Sequence, residues 1–126
     1  MEIEEIRLNN ILLLDNSKLV KILWIKPNTC SVMDVNVDYP SAIVDLDRLS
    51  GVELTRDILL DYGFKEGDNQ LYFENDFIIL EDSDGIWDLR IAHSSYFIKS
   101  IEFLHELQNI LFELFYYKIT SNEYRL

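Results

Sequence analysis

The sequence predicts an α+β fold: a mostly antiparallel sheet with one short helix and a long C-terminal helix. Three observations predict it. Short apolar runs separated by turn-forming residues fill the first two thirds of the chain. A single amphipathic stretch with helical spacing lies near the end. No Pro-, Gly- or Ser-rich linker, repeat or low-complexity run divides the chain, so residues 1–126 are expected to form one domain. The composition agrees: 48% of residues are hydrophobic, with seven Tyr, seven Phe and two Trp. A chain of this size buries roughly two thirds of its unfolded surface without metal or disulfide staples.

Asn10–Leu14 and Leu19–Lys26 read as strands joined by a turn at Asp15-Asn16-Ser17-Lys18. Pro27-Asn28 breaks the second, and Cys30–Val37 reads as a third. Three strands linked in this way are able to curl into a small partial barrel. Thr55 is a good helix cap, followed by a helix over 56–62, with Gly63 placed for the left-handed residue after it. A meander follows over Gln70–Glu74, Phe77–Glu81 and Ile86–Ala92. Asp84-Gly85 is the turn between the last two, because both positions need positive φ. Alternation of Ile86, Asp88 and Arg90 with Trp87, Leu89 and Ile91 makes one face wetter. Tyr96–Ile101 is the last strand. A helix then runs from Glu102 to about Tyr117, capped by Ser100. Leu104, Leu107, Leu111, Leu114 and Phe115 share its apolar face, with His105, Asn109 and Glu113 opposite.

The charge is segmental. Residues 34–88 hold fifteen acidic and three basic residues and so carry the whole net charge of −12, whereas both flanks are balanced. An acidic middle points to a positively charged partner. The same excess disfavours direct contact with a nucleic-acid backbone, which needs clustered Lys and Arg. The acidic start, Met1-Glu2-Ile3-Glu4-Glu5, lacks the positive region of a signal peptide, and no apolar run approaches the roughly 20 residues that span a bilayer. With Cys30 the sole cysteine, a reducing, cytoplasmic setting is expected.

No catalytic constellation stands out, so a non-enzymatic protein is expected. Asp82-x-Asp84-Gly85 looks like part of a calcium loop, but Leu80 and Ile91 stand where oxygen ligands are needed. Glu102-x-x-His105 has the spacing of a carboxylate–histidine metal motif, yet there is one copy and His93 has no partners at ligand spacing. A solvated polar face is the preferred reading, with no cofactor. The remaining candidates are surfaces. Glu66, Asp68, Glu74, Asp76, Glu81, Asp82, Asp84 and Asp88 are expected to form an acidic partner-binding surface, several of them in turns. Phe112, Tyr116 and Tyr117 exceed one helical face and are candidate aromatic contacts for a partner or a homodimer.

Ile6-Arg7-Leu8-Asn9-Asn10 resembles the opening "LRIGN" of a family of small proteins encoded in bacterial prophages and other mobile elements. The stretch from Val52 to Phe64, with Leu54-Thr55 and Leu59-Leu60-Asp61-Tyr62-Gly63-Phe64, is similar to that family's "PLTEEWLLKFGF". His105-Glu106-Leu107-Gln108-Asn109-Ile110-Leu111-Phe112-Glu113-Leu114 is similar to its "HQLQNLYFAL". The chain departs from the pattern at Asn9, where the family has glycine, and lacks its Thr-Gly after the last helix. The resemblance implies a small phage-associated protein and no particular chemistry. Together with the acidity, it gives the expected function: inhibition of a basic, nucleic-acid-handling host defence machine, in the manner of an anti-CRISPR. An RNA-guided nuclease is one such partner. The alternative is an accessory or structural protein, homodimeric through the last helix, whose acidity serves solubility alone.

Overall fold

The computed structural model describes residues 1–36, 41–67, 72–75, 78–92 and 96–115. It is α+β, with two antiparallel five-stranded sheets rather than one. A 3-10 turn at Ile3–Glu5 leads into β1 (Ile11–Leu14), β2 (Lys18–Ile25), β3 (Thr29–Asp34) and β4 (Ser41–Asp45). A second 3-10 turn, Leu46–Arg48, returns the chain so that β5 (Leu49–Ser50) pairs with β1. The first sheet therefore runs β4-β3-β2-β1-β5. Helix α1 (Arg56–Asp61) follows. Then come β6 (Lys65–Glu66), β7 (Tyr72–Glu74), β8 (Ile78–Ser83), β9 (Ile86–Ile91) and β10 (Phe97–Ile101), and finally α2 (Leu104–Phe115). The second sheet is a plain meander in chain order.

The local chemistry explains most boundaries. Asp15 and Asn16 both take positive φ, 53° and 59°, which suits the right-handed twist of the β1–β2 hairpin. Asp84 and Gly85 do the same for β8–β9, where Ser83 lies opposite Ile86 across a two-residue turn. The Thr55 hydroxyl accepts the Ile58 N–H and caps α1, and Gly63 ends it with φ 87°. Asn9 also has φ 70°, a conformation that asparagine tolerates better than most residues that carry a Cβ.

Several expectations are corrected. Strands β4 and β5 were not anticipated: one is an exposed edge and the other spans two residues, so neither leaves a clear apolar pattern. Ser100 does not cap the last helix. It sits in β10 and donates its hydroxyl to Asp88 at 2.7 Å, while α2 begins at Leu104. The helix start is held instead by Glu106, whose Oε1 accepts the N–H groups of Glu102 and Phe103, each at 3.0 Å. Val37, Gln70, Phe77, Tyr116 and Tyr117, which the sequence reading placed at strand or helix ends, lie outside the described residues.

Two apolar clusters fill the structure. One is built from Leu12, Val20, Ile22, Cys30, Val32, Val44, Leu46 and Leu49 of the first sheet and its connecting turns, with Ile6 from the segment before β1. The other gathers α1, α2 and the inner face of the second sheet around Phe73, Leu80, Trp87, Leu89, Leu104, Leu107 and Leu111. Ile11, from β1, belongs to this second cluster, and Leu13 and Leu19 pack against it. The first sheet thus serves both cores, one on each face.

Residues 51–54 strap the two parts together. Glu53 bridges Phe103, Leu54 donates its N–H to the Glu102 carbonyl, and the Trp87 indole donates to the Leu54 carbonyl at 3.3 Å. Gly51 permits this approach, since a Cβ there would lie 2.6 Å from the Phe103 ring.

Candidate functional site

Antiparallel register decides which acidic side chains share a face, because residues directly opposite one another project to the same side. Phe73, Leu80 and Leu89 form the inward row of the second sheet. The outward rows then carry Glu74, Glu81 and Asp88, together with Ile79, Ile86 and Phe97. Glu81 lies directly opposite Asp88, a like-charge pairing that costs a sheet stability unless something offsets it.

Two bases temper this face. Lys65 is opposite Glu74, and Arg90 approaches Glu81 at 3.9 Å. Both stand away from the β8–β9 turn. From Glu81 to Asp88 the hairpin end carries four carboxylates, those of Glu81, Asp82, Asp84 and Asp88, and neither Lys nor Arg. Asp82 Oδ1 accepts the Gly85 N–H at 3.2 Å, stiffening the turn. Asp84 and Ile86 are exposed at its tip. The geometry suits electrostatic contact with a basic surface.

Of the other expected surface residues, Glu66 is exposed at the far edge of the sheet, opposite Phe73 and thus on the other side from Glu81. Asp68 and Asp76 lie outside the described residues. Other described acidic residues lie on the first sheet: Asp34 pairs with Lys18, Asp45 precedes the second 3-10 turn and Asp47 lies within it. Phe112 is 49% exposed on α2. Cys30 is fully buried, and burial pushes its thiol above the ordinary value.

The opposite face of α2 is not solvated as the sequence suggested. It docks on residues 5–11. Asn10 Nδ2 donates to Asn109 Oδ1 at 2.8 Å, and Asn109 Nδ2 donates to the Glu5 carbonyl at 3.0 Å. Gln108 Oε1 accepts the Ile11 N–H at 2.9 Å, and Arg7 pairs with Glu113 at 3.4 Å. His105 is 2% exposed, stacks on Phe103, and has no hydrogen-bond partner at either ring nitrogen. Burial holds its imidazole below the usual range, against the opposing fields of Glu106 and Glu5. Glu102 is exposed, so Glu102 and His105 differ sharply in environment. The sequence signal that was missed is the polar run His105, Gln108, Asn109, which faces a polar segment at the other end of the chain.

Among the described residues, no three His, Cys, Asp or Glu side chains converge as a metal site, and no helix is long and apolar enough to cross a membrane. A half-open cleft of about 370 Å³ lies at one end of the first sheet, against Met1, Glu2, Pro27, Asn28 and Asp45. No family model, curated protein or solved structure matches the chain.

Proposed function

We propose that this is a non-enzymatic binding protein that uses the acidic β8–β9 hairpin end to engage a basic protein partner. A nucleic-acid-handling machine of host defence, such as an RNA-guided nuclease, has the required positive channel. The carrying observation is the presence of four carboxylates between Glu81 and Asp88 at one hairpin end, with Glu81 opposite Asp88 on the outward face and Asp82, opposite Trp87, on the other. A cationic partner would relieve that repulsion and be steered toward it. Ile86 and Phe97, both exposed, supply apolar contact beside the charge. The resemblance to mobile-element proteins supports the setting, and a buried lone thiol suits the cytoplasm.

The test neutralises the hairpin without changing its shape, by Glu81→Gln, Asp82→Asn, Asp84→Asn and Asp88→Asn together. Asparagine keeps the Asx turn and tolerates positive φ. A partner co-purified from bacterial lysate should bind the variant more slowly and with a flatter salt dependence. Equal capture by both proteins would exclude the mechanism, and loss of the partner after nuclease treatment would show capture through nucleic acid instead.

A second reading is an accessory protein that pairs with itself. It is favoured by Ile43, 66% exposed at the centre of the edge strand β4, and by the exposed Phe112. Sedimentation at two concentrations separates the two. We also infer that the first sheet curls toward a partial barrel. Its inner cluster draws on its own strands and turns and on Ile6 and Met1 from the segment before β1, and β2 bears a bulge between Ile22 and Trp24.

A further inference from the structure

We propose that the docking of residues 5–11 on α2 is a proton-sensitive latch, with His105 as its trigger. His105 lies on the helix face that receives this segment, beside Glu106 and three residues before Gln108. Its ring is buried, and neither nitrogen has a partner, so the neutral form alone fits without an uncompensated charge.

Two carboxylates reach it electrostatically, one from each side of the junction: Glu106 on its own helix and Glu5 on the first 3-10 turn. Both are already committed. Glu106 Oε1 holds the helix-start amides of Glu102 and Phe103, while its Oε2 lies 4.0 Å from Lys99 Nζ. Glu5 Oε2 accepts the Glu2 N–H at 2.8 Å. Arg7, the base of the docked segment, is turned toward Glu113. A proton on His105 therefore either stays unpaired or draws one of these carboxylates from its present bonds. The first weakens the docked face; the second loosens the helix start or the 3-10 turn. Each route favours loosening of α2 from residues 5–11, which stay paired with β2 through Asn9 and Asn10. In the loosened state His105 regains water and its ordinary proton affinity.

The sign follows from linkage. A histidine whose docked form binds protons less tightly than its released form makes docking weaker as pH falls. The window opens at the ordinary value of 6.5 and extends down to the lowered one. The docking constant falls by up to about tenfold per pH unit within that window.

Amide hydrogen exchange, corrected for the intrinsic rate, tests this from one pH unit above that value to one below it. The only other histidine in the sequence, His93, is replaced by His93→Gln so that a single imidazole titrates. Protection of the Ile11 amide, whose N–H donates to Gln108 Oε1, should fall on acidification while protection in β3 and β4 holds, and His105→Leu should abolish the fall. If His105→Leu does not fold, the imidazole proton signal of His105 in the parent protein is decisive. It should titrate below 6.5 and in step with the loss of protection. An ordinary titration, protection indifferent to pH, or the same fall in His105→Leu would overturn the latch.

Discussion

Asn10 and Asn109, 99 residues apart, share a hydrogen bond of 2.8 Å that closes the chain's first strand against its last helix. Asn10 is 2% exposed, and its side-chain oxygen also accepts the Arg7 N–H. Both ends of its amide are thus satisfied inside the protein.

Asn109→Ala should be costly for that reason. It removes two hydrogen bonds and leaves the Asn10 amide buried with one donor unmet. The expected loss is about 1–3 kcal/mol. Urea unfolding would read it as a lower midpoint at an unchanged slope.

Gly51→Ala should destabilise through steric crowding. The new methyl would meet the Phe103 ring at 2.6 Å, and that ring also stacks on His105. Overpacking of this kind costs about 1–3 kcal/mol. A thermal melt would show it, and Phe103→Leu in the same chain should recover part of the loss.

Cys30 should ignore thiol reagents in the folded protein. Its side chain is fully buried and its thiol is held protonated by burial. Labelling should appear only as urea unfolds the chain, with the same midpoint as the loss of structure. Rapid labelling of the native protein would place Cys30 at the surface.

Asp15 should titrate below its ordinary value of 3.8, because Arg48 donates two hydrogen bonds to it, at 2.6 and 3.0 Å. A depressed carboxylate contributes stability that is present above the unfolded value and lost as pH falls through the folded one. Asp15→Asn should therefore lower stability slightly at neutral pH, by the small amount expected of an exposed pair, and the difference should vanish as pH falls below about 4. A carboxyl-resolved NMR titration would locate the proton directly.

What could be read from the sequence was local. Asp84-Gly85, Thr55 and Gly63 announce their turns and caps because the deciding contacts lie within a few residues. Trp87 and Leu89 announce an inward face by alternation. The division into two sheets was not legible, since it depends on β5 returning to β1 across the whole first meander. Nor was the burial of His105. A helical pattern sorts residues as apolar or polar, and a polar stripe looks solvated until its partners, here residues 5–11, are known. The acidic excess was legible as charge, but its placement was not. Register puts Glu81 and Asp88 together and sends Glu66 to the other side.

The seam between the first strand and the last helix also orders events during synthesis. β1 can pair with β2 as soon as both have left the ribosome, but its Ile11 side waits for α2 to emerge. Until then Asn10 and the apolar flank of β1 are exposed to other chains. Contacts across such sequence separations slow folding and lengthen that exposure. Truncation before residue 104 should accordingly yield a polypeptide that clings to chaperones, its opening strand still searching for a missing lid.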